Sequence, residues 1–120
     1  VGVALHRAAQ ESRFAGPVVY ASFLHAELLA IRRVDPQART MALLEGVPVS
    51  GAAFAEEAGA TLVGLAIDFA TADFVASLQK AGFQVWVYTV NDPRLIRRAM
   101  DLGVEGIISD FPERVPKIRP

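Results

Sequence analysis

The sequence predicts one α/β domain in which five parallel strands alternate with helices, and three observations carry the prediction. Short apolar runs begin near Val18, Thr40, Thr61, Phe83 and Glu105, at spacings of 22, 21, 22 and 22 residues. Each run is dense in Val, Ile, Leu and aromatics at nearly every position, as strands covered on both faces require. The segments between them have helical spacing, and a strand, a turn, a helix and a second turn fill such a repeat.

Taken in order, the elements justify themselves by their ends. An opening helix over about Val3–Phe14 is stopped by Gly16-Pro17, which leads into a strand at Val18–Phe23. Leu24, Leu28 and Ile31 recur at near-helical spacing, and Asp35-Pro36 ends that second helix. A strand at Thr40–Leu44 precedes a short alanine-rich helix at Ala52–Ala58, then a strand at Thr61–Ile67. Thr71 is placed to cap the next helix, Asp73 suits its positive end, and Gly82 supplies a left-handed exit. After the strand Phe83–Val90, Asp92-Pro93 combines a cap oxygen with a proline that misses no N–H bond. Leu95, Ile96, Ala99, Met100 and Leu102 form the inner stripe, Gly103 closes it, and Glu105–Ser109 is the last strand. No linker or domain boundary interrupts residues 1–120. Right-handed crossovers leave two architectures: an open five-stranded doubly wound sheet, or part of an eight-stranded (β/α) barrel that needs about 250 residues.

Composition narrows the function classes. Hydrophobic residues are 52% of the chain and charged residues 21%, which excludes a disordered protein. With 12 basic and 13 acidic residues the net charge is −1, no electrostatic footprint for nucleic acid. There is no cysteine, so thiolate metal sites and cysteine nucleophiles are excluded. Mean hydropathy is +0.33, but the longest charge-free run, Phe14–Ala26, is too short to span a bilayer. The chain opens on Val1 rather than Met, with nothing like a signal peptide near it. The expectation is a cytoplasmic protein whose start was removed, or a piece of a longer one.

Both architectures collect active groups at the C-terminal ends of their strands. Those ends are Ser22-Phe23, Leu44-Glu45-Gly46, Ile67-Asp68, Tyr88 to Asp92, and Ser109-Asp110. Carboxylates and the amide of Asn91 could converge there on a divalent metal, although acids in such places commonly cap helices, as Asp92 does before Pro93. A phosphoryl-accepting signalling domain needs an acidic pair after its first strand and a lysine after its fifth. Lys80 and Lys117 fall in a helix and in the tail, so that set is missing. No phosphate-cradling glycine motif or His-x-x-x-His pair occurs. His25 lies just past a strand end, within reach of a ligand. His6 sits in the opening helix and reads as a surface or helix-face histidine, and Arg32-Arg33 and Arg97-Arg98 mark solvated helix faces.

The segment Gly82 to Pro93, reading Gly-Phe-Gln-Val-Trp-Val-Tyr-Thr-Val-Asn-Asp-Pro, is followed by Leu102-Gly-Val-Glu-Gly-Ile-Ile-Ser-Asp-Phe-Pro112. The pair resembles the C-terminal signature of the glycerophosphodiester phosphodiesterase family. Val18 to His25 and Leu43-Leu-Glu-Gly46 are similar to the family in spacing. The resemblance implies a TIM barrel that hydrolyses glycerophosphodiesters to an alcohol and glycerol 3-phosphate. It implies a divalent cation (Mg or Ca) held by carboxylates, with histidines as general acid and base.

Aligned this way, residues 1–120 are the C-terminal five strands of the barrel, strands four to eight. The family's His-Arg-Gly, Glu-x-Asp, second histidine and Glu-x-Lys belong to its first three strands. His6-Arg7-Ala8 lacks the glycine and stands in the wrong helix. The implication is a chain with no catalytic or metal-ligating residue of its own, inactive alone. It would associate with a missing N-terminal half or a second copy, because an arc leaves two edges and an inner face open. Tyr88, where the family has tryptophan, Asn91 and Phe23 are the implied substrate-binding residues. Alternation along the strand turns Val85 and Val87 to the helices and Trp86 and Tyr88 inward. The rival expectation is a non-catalytic half-barrel that binds or supports a partner.

Overall fold

Helices and strands alternate along residues 1–116, the part of the chain that the structure, a computed structural model, describes. In order they are α1 (Gly2–Glu11), β1 (Val19–Ser22), α2 (His25–Val34), β2 (Arg39–Leu44), α3 (Ala53–Glu57), β3 (Leu62–Ala66), α4 (Ala72–Lys80), β4 (Gln84–Tyr88), α5 (Pro93–Asp101) and β5 (Gly106–Ile107). Short 3-10 turns follow at Ile67–Phe69 and Pro112–Arg114. Lys117, read above as part of the tail, lies outside the described residues.

The helix ends follow from local chemistry. Thr71 accepts from the Phe74 amide at 3.2 Å and Asp92 from the Arg94 amide at 2.8 Å, each meeting a donor the first turn would leave unpaired. Gly82 exits α4 with φ +97°. The opening helix differs from expectation: it stops at Glu11 rather than near Phe14. The Ser12 hydroxyl turns back onto the Ala9 carbonyl at 2.6 Å, and Arg13 already adopts φ +60°. The break therefore precedes Gly16.

All five strands pair in parallel in the order β1-β2-β3-β4-β5. This order decides between the two architectures. A doubly wound sheet must reverse direction at a switch point. Steps that always advance one strand with right-handed crossovers put every helix on the same face. The sheet is therefore an arc of a (β/α)8 barrel, and the doubly wound alternative falls.

Side chains sort accordingly. Val63, Leu65, Val85 and Val87 are fully buried in one cluster with Val75 and Leu78 of α4 and Ile96 and Ala99 of α5. Residues of opposite parity line the inner face. There, a β-carbon on Gly64 would lie 2.7 Å from Leu43 and 2.8 Å from Met41, and one on Gly106 only 2.3 Å from the Trp86 ring. Large side chains from one strand thus lie across glycines of the next. The expectation of an open inner face needs correction at its centre, where Met41 and Leu62 are 3% and 1% exposed. Nearer the edge, Ala21 of β1 is exposed. β1 and β5 each have one neighbour among the described residues. The last strand, expected over Glu105–Ser109, is shortened to two residues, although backbone bonds from Glu105 to Val85 and from Ile108 to Val87 extend the contact.

Candidate functional site

The C-terminal ends of β1, β2 and β4 meet on the concave side of the arc. Tyr88 ends β4, turned inward by the same alternation that buries Val85 and Val87 among the helices. Its hydroxyl donates to the Leu44 carbonyl at 3.2 Å, so the ring reaches across β3 to the end of β2. Burial pushes the phenol pKa above its ordinary value, and the nearby Glu45 carboxylate adds to the rise. Phe23, just past β1, stands edge-on to Tyr88 with ring centroids 6.2 Å apart and planes at 84°. Two residues picked from the sequence, 65 positions apart, are thus in contact.

Asn91 is placed differently. Its side-chain oxygen accepts from the Ser109 hydroxyl at 3.0 Å and the Asp110 amide at 2.9 Å, while its side-chain nitrogen donates to the Asp110 carboxylate at 2.9 Å. The Arg114 guanidinium donates to the Asn91 carbonyl at 3.0 Å and stacks on Phe111, 3.9 Å from the ring centre. Asn91 therefore ties the loop after β4 to the loop after β5. Sequence reasoning singled out Asn91 without seeing its partners, although Ser109-Asp110 ends the adjacent strand.

The carboxylates at the strand ends do not converge. Among the described residues no group of three His, Asp or Glu side chains could hold a metal ion. Asp92 is committed to the α5 cap and Asp110 to Asn91. The residues present therefore do not fit a divalent cation, against the metal site that the strand-end acids suggested. The Trp86 indole nitrogen is buried without a hydrogen-bond partner among the described residues.

The two histidines are occupied elsewhere. His25 donates from Nε2 to the Leu43 carbonyl at 2.8 Å and faces Phe54, beside a cavity of about 240 Å³ between α2 and α3. His6 is buried rather than on the surface. Its Nε2 lies 3.0 Å from the Asp35 carboxylate, an acceptor only, so the ring donates. That contact and the Gln37 amide hold the Asp35 carboxyl below its ordinary pKa. The pair joins α1 to the end of α2, a role that reading Asp35 as a helix stop missed. Arg32 and Arg98 are also more than solvated charges, since they reach the carbonyls of Ala38 and Ala70.

Fold and site together define an arc of a (β/α)8 barrel with an aromatic corner at the C-terminal ends of its strands. The model of the glycerophosphoryl diester phosphodiesterase family matches residues 3–114, and the chain belongs to that family. A glycerophosphodiester phosphodiesterase of Bacillus subtilis (strain 168) is 27% identical over 108 residues, covering 87% of this chain and 37% of the relative. A crystal structure from Silicibacter pomeroyi DSS-3, assigned as a glycerophosphoryl diester phosphodiesterase, superposes with a TM-score of 0.85 at 29% identity, covering 95% of this chain and 41% of that one. An Oleispira antarctica phosphodiesterase, solved with the product sn-glycerol-3-phosphate, gives a TM-score of 0.84 at 18% identity, with coverages of 94% and 47%. The chain spans less than half the length of each of these relatives.

Proposed function

We propose that residues 1–120 are the C-terminal portion, strands four to eight, of a barrel that hydrolyses glycerophosphodiesters to an alcohol and glycerol 3-phosphate. The observation that carries the reading is the family match over residues 3–114 in a chain spanning less than half of its relatives. The product bound by the Oleispira antarctica enzyme supports glycerol 3-phosphate as the product here. In this reading the cation and the acid–base groups come from a preceding segment of three strands, which pairs with the edges at β1 and β5. The share of this chain is positional. Phe23 and Tyr88 wall the substrate pocket, and Asn91 holds its rim in place.

The test is release of glycerol 3-phosphate from glycerophosphocholine in Mg or Ca, by the 120-residue chain and by a fusion of it behind the first three strands of the Bacillus subtilis relative. The chain alone is expected to be inactive and the fusion active. Chelator-sensitive hydrolysis by the pure chain would overturn the division of labour. A fusion with native circular dichroism and no activity would favour a non-catalytic half-barrel.

A further inference from the structure

We propose that Glu45, with the rings of Phe23 and Tyr88, forms a recognition corner for a quaternary ammonium group on the substrate's alcohol. The inference deepens the phosphodiesterase reading and rests on it for its place in the reaction, but all three residues belong to this chain.

Three observations converge on the corner. Phe23 and Tyr88 pack edge to face, yet Phe23 remains 52% exposed, leaving aromatic surface open at the mouth of the arc. The Tyr88 hydroxyl is anchored on the Leu44 carbonyl, which sets the ring beside the next residue, Glu45. Glu45 itself is exposed and, among the described residues, has neither an ion pair nor a hydrogen bond. The cations at the other loops of this end are engaged: Arg94 bonds Asp92, and Arg114 bonds the Asn91 carbonyl and covers Phe111.

A free carboxylate beside two aromatic rings attracts a cation twice, through its charge and through the negative ring faces. With one carboxylate and no circle of acceptors, the corner suits a trimethylammonium group, which donates no hydrogen bonds, better than a primary ammonium. The same carboxylate disfavours an anionic alcohol group such as an inositol phosphate.

The test follows fluorotyrosine signals by fluorine NMR. The chain has two tyrosines, and Tyr20, buried on the helix side of β1, is the internal control. Choline chloride is titrated against its uncharged isostere 3,3-dimethylbutan-1-ol at constant ionic strength. Choline is expected to move the Tyr88 signal saturably, leave Tyr20 in place, and bind about tenfold more tightly than the isostere. Glu45→Gln, a change at an exposed and unpaired side chain, should remove most of that preference without altering isostere binding. Phe23→Leu should weaken choline while the Tyr20 signal stays native. Equal binding of choline and isostere, no saturable shift of Tyr88, or an unchanged preference in Glu45→Gln would each overturn the proposal. Hydrolysis is not the readout. A choline-binding chain whose fusion is inactive would leave the corner standing and sink the phosphodiesterase reading. An active fusion whose chain ignores choline would do the reverse.

Discussion

Replacing Gly106 by alanine probes how the inner face is built. The added β-carbon would fall 2.3 Å from Cδ2 of Trp86 and 2.6 Å from Cε2 and Cγ. Ordinary carbon–carbon contact is about 3.5–4.0 Å, so the overlap exceeds an ångström. Those atoms belong to one rigid fused ring, which must move as a whole. Overpacking of this kind costs about 1–3 kcal/mol, and each kcal/mol lowers the melting temperature of a domain this size by roughly 4–8 °C. Gly64 makes the comparison. A β-carbon there meets Leu43 and Met41 at 2.7 and 2.8 Å, but these are the ends of flexible side chains, and Gly64→Ala should cost less than Gly106→Ala. The assay is urea unfolding followed by far-ultraviolet circular dichroism on wild type, Gly106→Ala, Trp86→Leu and the double variant. The midpoint of Gly106→Ala is expected to fall at constant slope, and the penalty should shrink to below about 0.5 kcal/mol in the Trp86→Leu background. An undiminished penalty in that background would show that the ring is not what the methyl meets.

Two further predictions concern the ends of the sheet. Asp35 has its pKa held below the ordinary 3.8 by His6 and the Gln37 amide, so its contribution to stability is present above that value and lost as pH falls through the lower folded pKa. Asp35→Asn should therefore lower the melting temperature at neutral pH and flatten the acid loss below about pH 4, and an acid profile parallel to wild type would refute this. Asn91→Ala removes three side-chain hydrogen bonds between the loops after β4 and β5. Its expected effects are a loss of about 1–2 kcal/mol and faster hydrogen exchange at the Asp110 amide, whereas unchanged protection of that amide would refute the tie.

Much of the architecture was legible because it is local. The 21–22-residue rhythm located all five strands, and Thr71 and Asp92 announced their caps because a cap and its donor lie within three residues. Strand length was less legible. Glu105–Ser109 reads like any buried strand, but as an edge with one neighbour it keeps regular pairing over only Gly106–Ile107. His6 was misplaced for a related reason: its burial depends on Asp35, 29 residues on, and nothing in the spacing of α1 points there. Likewise the roles of Gly64 and Gly106 depend on register, which sets Trp86 beside Gly106 and Leu43 beside Gly64.

The aromatic corner marks where local reading ends and curvature takes over. β1 and β4 are separated by two strands, and in a flat sheet three inter-strand spacings would hold them about 14 Å apart. The rings of Phe23 and Tyr88 nevertheless meet at 6.2 Å, and Tyr88 crosses β3 to reach the Leu44 carbonyl. Two side chains raised from the same face converge this far only if that face is concave. The contact is thus independent geometric support for a barrel arc, reached without reference to any relative. It also explains why the sequence could nominate Phe23 and Tyr88 separately and not as a pair. Each is legible as an aromatic at a strand end, but their meeting is a property of how β2 and β3 bend the sheet between them. Glu45 completes the corner by the same means: it is the residue after the carbonyl on which the tyrosine rests, and the bend brings that carbonyl under the ring.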